Sequence, residues 1–258
     1  MGAREDGDTE WRSASLGWFD GRRPVGAGLV PHRPVPRLDR FTPAYLPEGP
    51  VVDWTGGIDA WLDPLAARLR ARGTFAIRLV LPVHTHTWSA AQVKAAGWLP
   101  QSPEDGFGVG HPRFRYELPL TDRSEDDLLG AVNQLWRRAI KKAAKAGGET
   151  MFAALNPENP DRIRLYLARH PDDLVAATVL VRVGAHACYS YGASSTEKRQ
   201  VRGSNACQRA TIRDSLAAGC DVYDLRGITP TLDTADPHAE LIQFKVGTGG
   251  RAVCHVGA

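Results

Sequence analysis

The sequence predicts an α/β (α+β) fold built from two degenerate copies of one unit, a β-hairpin followed by a strand, a helix and a strand, with mixed sheets flanked by helices. Three observations predict it. Turn residues, Asp20-Gly21 and Pro171-Asp172-Asp173, each divide a pair of β-rich runs. An amphipathic stretch follows each pair and stops at a glycine, Gly73 and Gly219. Between the copies lies a highly charged helical segment, 124–148, with no low-complexity linker to isolate either half.

In chain order, residues 1–10 are polar, and 12–20 (RSASLGWFD) and 23–35 (RPVGAGLVPHRPV) form the first hairpin. In 45–54 (YLPEGPVVDW) proline and glycine predict a loop. Ile58, Trp61, Leu62, Leu65 and Leu69 then mark a helix, and 75–81 a strand. The stretch 84–120 holds one short helical piece and one strand, and 151–160 (MFAALNPENP) almost nothing. In the second copy 162–170 and 174–184 pair, 186–195 (HACYSYGASS) is a further strand and loop, 204–219 a helix and 221–228 (DVYDLRGI) a strand. Each copy looks short of an opening strand and helix, so either the units are compact or segments have been lost.

Segment 124–148 (SEDDLLGAVNQLWRRAIKKAAKAGG) reads as a single helix, with Ser124 as N-cap, Asp127 as its capping-box partner and Gly147-Gly148 as the stop. Leu128, Val132, Leu135, Trp136 and Ala139 form its apolar stripe, while Arg138, Lys141, Lys142 and Lys145 share another face. Acids at the start and cations at the end also complement a helix dipole, so the segment alone does not decide between a binding face and a solvated one. The expected domains are 1–123, the connecting basic helix 124–148, and 149–258.

Composition excludes several classes. With 258 residues, 43% hydrophobic and 24% charged, the chain is neither disordered nor membrane-built, and a net charge of +3 is too small to indicate nucleic acid. No apolar run is long enough for a bilayer span and residues 1–10 are no signal peptide, so a cytoplasmic location is expected. Cys188, Cys207, Cys220 and Cys254 have no CxxC spacing and read as small buried hydrophobes.

Among candidate sites, His84 and His86 lack a third ligand, so no metal is expected. No G-x-S-x-G elbow is present. Residues 23–28 (RPVGAG) fit the pyrophosphate spelling of acyl-CoA transferases, but on a hairpin strand no helix N-terminus follows to hold phosphate. More informative is 241–250 (LIQFKVGTGG), where Lys245 lies between Phe244 and a glycine-rich turn. It reads either as an anion or oxyanion site or as a helix capped by Gly247. Tyr189, Tyr191, Asp224 and Arg226 lie at the ends of the strands expected beside it, where ligands of α/β sheets usually sit.

Taken together, NQLWRRAIKKAAKAG, YSYGASS, GCDVYDLRGI and LIQFKVGTGG, in this order, resemble the Fem-type (FemABX) peptidyltransferases, and most of all actinobacterial members, over about residues 12–257. The resemblance implies two GNAT-like domains, both shortened here. It implies transfer of an amino acid from aminoacyl-tRNA to an amine of a UDP- or lipid-linked muropeptide, with no metal or coenzyme. Contact with a membrane would then be peripheral, through a lipid-linked substrate.

By the same resemblance Lys245 matches the FK lysine that assists the reacting ester, with Phe244 beside it. Arg137, Arg138, Lys141, Lys142 and Tyr191 fall where the family handles precursor phosphates and sugar or the tRNA, and Asp224 and Arg226 line the neighbouring strand end. Aminolysis of an ester is downhill, so alignment and one oxyanion-stabilising cation suffice without a triad. The chain departs from the family pattern at Ala139, where asparagine is usual, at Arg209, usually aromatic, and at Glu240, usually glycine; segments usual after Val93 and Gly148 are absent. The expected activity is thus transfer of an amino acid, glycine first, to a cell-wall precursor. Two alternatives stand beside it: a small-amine acceptor in natural-product assembly, and a shortened homologue that only binds or pairs.

Overall fold

The structure, a computed structural model, describes residues 12–33, 35, 41–81, 90–99, 112–147, 149–170, 173–229, 231 and 233–255. The pair His84 and His86 lies outside them. Contacts divide the chain into two units, the second running Phe114–Val253.

In the first unit, β1 (Arg12–Asp20) and β2 (Arg23–His32) pair antiparallel, closed by a two-residue turn whose Gly21 takes φ 59°. Strand β3 (Thr42–Leu46) pairs antiparallel with β2, and helix α1 (Asp59–Arg70) crosses over to β4 (Thr74–Leu79), parallel to β3. A short helix, α2 (Ala90–Ala95), follows. Leu62, Leu65 and Leu69 stack along one side of α1 and are buried with Val30, Ala44, Leu46 and Leu79 of the sheet. Strand β3 corrects the loop expected at 45–54, since Pro47 and Gly49 end a strand that already includes Tyr45 and Leu46.

The second unit opens with β5 (Phe114–Pro119), α3 (Glu125–Ala131), α4 (Gln134–Lys145) and β6 (Glu149–Ala154). Strands β7 (Ile163–His170), β8 (Asp173–Val183) and β9 (His186–Ser194) continue an antiparallel meander, and α5 (Gly203–Ala217) crosses over to β10 (Val222–Ile228), parallel to β9. Helix α6 (Ala239–Val246) and β11 (Arg251–Cys254) complete it, giving the sheet order β11-β5-β10-β9-β8-β7-β6. Strand β6 corrects the reading of 151–160 as nearly structureless; its side chains are exposed, so hydrophobic burial could not announce it.

The expected duplication is present. The runs β1-β2-β3-α1-β4 and β7-β8-β9-α5-β10 share element order and strand sense, each ending in a parallel pair bridged by a helix. Leu118, Tyr166, Tyr223, Leu225 and Ile242 fill the second core, each such apolar side chain contributing roughly 1.5–3 kcal/mol on burial. Helix α5 lies on this sheet through a partly polar face, where the Tyr223 hydroxyl donates to Gln208 Oε1 at 2.6 Å. Cys207 and Cys220 are buried as expected, whereas Cys188 and Cys254 are only half-buried.

Segment 124–148 is not one helix. The Ser124–Asp127 capping box starts α3 as expected, but Val132 turns extended at ψ 144° and the Asn133 side chain accepts the Trp136 amide at 2.9 Å, capping a second helix. The break resets the helical phase. Leu135, expected inside, is 71% exposed, and the buried face becomes Val132, Trp136, Ile140 and Ala143. Both helices belong to the second unit, together with β5, so the division by contacts falls before Phe114 rather than at 123/124.

Candidate active site

Strands β9 and β10 pair in parallel only over His186–Cys188 and Val222–Asp224, and beyond these residues no pairing joins them. A fork opens there, and irregular backbone shapes both of its arms. On β10 the register against β5 shifts between Asp224 and Gly227, and Arg226 takes φ 66°, a left-handed conformation that non-glycine residues seldom adopt. On β9 the register against β8 slips between Leu180, opposite Tyr189, and Val179, opposite Tyr191, so Ser190 is the extra residue.

Lys245 reaches this fork from the last turn of α6. Its Nζ donates to the Gly227 carbonyl at 2.5 Å, and the residue is 5% exposed. Burial pushes its pKa down to about 8, against the pull of Asp224, with Arg226 adding to the depression. An ammonium has three donors, and one is committed to Gly227.

Asp224 anchors the cluster and has no exposed surface. Its Oδ1 accepts the Arg226 amide at 2.5 Å, while Oδ2 lies 3.3 Å from Arg115 Nη1 and 3.6 Å from His186 Nε2. Burial alone would raise the carboxyl pKa, but the His186 contact, the Arg115 charge and the Arg226 amide together hold it below the ordinary value. Arg226 Nη1 also faces Cys188 Sγ at 3.5 Å, and burial raises that thiol, so it is no ready nucleophile.

Three of the residues expected at the site, Lys245, Asp224 and Arg226, are therefore brought together. Tyr191 stands just past the β9 bulge and is 75% exposed. Phe244 is directed elsewhere: its ring packs on Trp136 with centroids 5.0 Å apart, alongside Val132 and Ile140. Arg137 is also exposed but is tied back to its own chain: its Nε donates to the Val132 carbonyl at 3.1 Å and its Nη2 to the Gly130 carbonyl at 2.6 Å, across the α3–α4 break. Arg138, Lys141, Lys142 and Lys145 are exposed on α4, opposite the Trp136–Ile140 packing face.

Arg115, His186, Cys188 and the Gly227 carbonyl were missed from sequence. Alternation along HACYSY places His186 and Cys188 on one face, but only the parallel register Val222 with His186 and Asp224 with Cys188 reveals what they meet. Among the described residues no group of three or more His, Cys, Asp or Glu is arranged to hold a metal. No helix among them is long and apolar enough to cross a membrane.

The chain's similarity to known proteins agrees with this architecture. Residues 161–258, which contain the fork and Lys245, match the model of the FemAB family, bearing out the Fem-type resemblance. The fold is similar to the crystal structure of FemX, with TM-score 0.80 at 17% identity over 96% of this chain and 87% of that one. L-PGS from Bacillus licheniformis superposes with TM-score 0.54 at 8% identity, over 94% of this chain and 82% of that one. A tandem GNAT protein from the clavulanic acid biosynthesis pathway gives TM-score 0.51 at 13% identity, over 96% and 84%. At such identities these likenesses speak for the fold. No curated protein matches the sequence.

Proposed function

We propose, for a chain whose residues 161–258 match the FemAB family, that the protein is an aminoacyltransferase. It moves an amino acid, glycine first among candidates, from aminoacyl-tRNA onto the stem peptide of a UDP- or lipid-linked muropeptide, in the cytoplasm. The observation that carries this reading is Lys245, enclosed at the β9/β10 fork with Nζ on the Gly227 carbonyl and spare N–H donors.

The reaction asks little else of the protein. The neutral acceptor amine attacks the ester carbonyl, the carbonyl oxygen takes up negative charge in the tetrahedral intermediate, and collapse forms the amide while the ribose oxygen leaves with a proton. The proton comes, in balance, from the attacking amine. Lys245 as a cation, enclosed by protein, stabilises the oxyanion more strongly than it would in water. With its pKa near 8 it stays mostly charged at neutral pH and is also poised to shuttle the proton between amine and leaving oxygen. Arg226 adds a second cation at the fork, and the exposed Arg138, Lys141 and Lys142 of α4 are suited to phosphates of the tRNA or the precursor.

Incubation with radiolabelled glycyl-tRNA and a UDP- or lipid-linked muropeptide tests the reading. Label appearing on the muropeptide supports it. Absence of transfer with glycyl-tRNA and with other aminoacyl-tRNAs, by protein that is folded and binds the precursor, rejects it.

A further inference from the structure

Helix α6 ends one residue after Lys245, and a helix end leaves carbonyls that need donors from outside it. Trp136 of α4 supplies one: its indole N–H donates to the Phe244 carbonyl at 2.7 Å. The Asn133 amide donates to the Gly247 carbonyl at 3.0 Å, and the Tyr116 hydroxyl faces the Val246 carbonyl at 3.2 Å. Trp136 is the most tightly seated of the three. It is 4% exposed, it stacks on Phe244, and a Cβ on Gly247 would lie 2.0 Å from its Cδ1, so a glycine is needed for the helix end to approach the indole.

We propose that Trp136 is a positioning residue for Lys245: its bond to the Phe244 carbonyl sets where the last turn of α6 stops, and hence where Nζ meets the Gly227 carbonyl. Trp136 is placed for this and not for substrate, because its N–H is used on a backbone carbonyl and its ring is enclosed. The same helix carries Arg138, Lys141 and Lys142 on its exposed side, so this hydrogen bond, together with that of the Asn133 amide to Gly247 and the ring contact with Phe244, joins the cationic helix to the helix bearing the lysine. A phosphate held on α4 is thereby held at a set offset from the Lys245 amine. The catalytic part of this proposal rests on the transferase reading; the structural part does not.

Trp136→Phe keeps a packed ring and removes the donor. In the full chain kcat should fall by about 10- to 100-fold, the penalty expected when a reacting group moves by roughly 1 Å. KM for both substrates should stay within about twofold, since binding groups are untouched. Ionisation of Lys245 is read separately, from the pH dependence of its acetylation by acetic anhydride, followed by mass spectrometry of its peptide. That titration should move up toward the ordinary lysine range as enclosure loosens, because Asp224 and Arg226, the charges that act on the amine, and Arg115 and His186, which face Asp224, are unchanged.

Gly247→Ala, whose methyl lands on the indole, should shift Lys245 in the same direction and decides the matter if Trp136→Phe does not fold. Phe244→Leu removes the stack but keeps the carbonyl bond, and should leave the Lys245 titration in place. Wild-type kcat and an unmoved Lys245 titration in folded Trp136→Phe or Gly247→Ala overturn the proposal. If wild-type protein transfers nothing, the transferase reading fails by itself, and the titration alone decides whether Trp136 positions the lysine.

Discussion

Asp224 holds Arg226 through the backbone: the carboxylate accepts the amide N–H two residues further on at 2.5 Å, and Arg226 is kept at φ 66° in the bulge of β10. The same carboxylate faces Arg115 and His186, so one fully buried group fixes both the strand irregularity and the charge balance beside Lys245. Backbone strain of this kind persists only where surroundings enforce it.

Asp224→Asn should therefore destabilise the second unit, by roughly 3–5 kcal/mol as for one partner removed from a buried ion pair, measured by urea unfolding. The folded carboxyl pKa is lowered, so its stabilisation is full above the ordinary Asp value and is lost as pH falls through the lower folded value. Acid unfolding of the wild type should show a loss below about pH 4 that Asp224→Asn lacks.

Lys245→Met should lower transfer by about 10²- to 10³-fold, the cost of removing one oxyanion-stabilising donor, with precursor binding retained. Because burial disfavours the cation, the same change should leave stability unchanged or raise it, which separates a catalytic loss from a folding defect. In the wild type, kcat/KM, which reports the free protein, should fall as pH rises through about 8, where Lys245 loses its proton. A kcat/KM that stays level well above that pH contradicts the role given to the cation.

Replacing Lys141 and Lys142 together by glutamine should weaken binding of tRNA or precursor and reduce the salt dependence, each lost phosphate contact removing about 0.7–0.9 from the slope of log K against log salt. Both side chains are exposed on α4, so melting temperature should not change. If affinity and slope are the same in both proteins, the lysines are a solvated face.

The α3–α4 break makes a prediction that contradicts the simple helical stripe. Ile140→Ala should cost roughly 2–5 kcal/mol, since Ile140 is 8% exposed against Val132 and Trp136. Leu135→Ala should stay within about 0.5 kcal/mol, being 71% exposed. Thermal unfolding of the two variants distinguishes a broken helix from a continuous one, in which Leu135 would be the costlier loss.

Much of the fold was legible because its signals are local. Asp20-Gly21 is a turn whatever surrounds it, the spacing of Leu62, Leu65 and Leu69 is helical by itself, and Ser124 with Asp127 forms a cap within four residues. The repeated order of these signals determined the duplication, and the four family-like stretches located Lys245, Asp224 and Arg226. What stayed hidden depends on contacts distant in the chain. Asn133 starts a new helix because its side chain caps while its amide is drawn to Gly247, more than a hundred residues away, and this moved Leu135 from core to surface. The pattern of β6 carries no burial signal, since its place at the end of the sheet comes from pairing with β7. Sequence placed Phe244 beside Lys245, but only packing shows that its ring belongs to Trp136 while its carbonyl accepts the indole N–H. Local propensity and spacing are written along the chain; register, helix ends and the environment of a buried charge are settled where distant segments exclude water together.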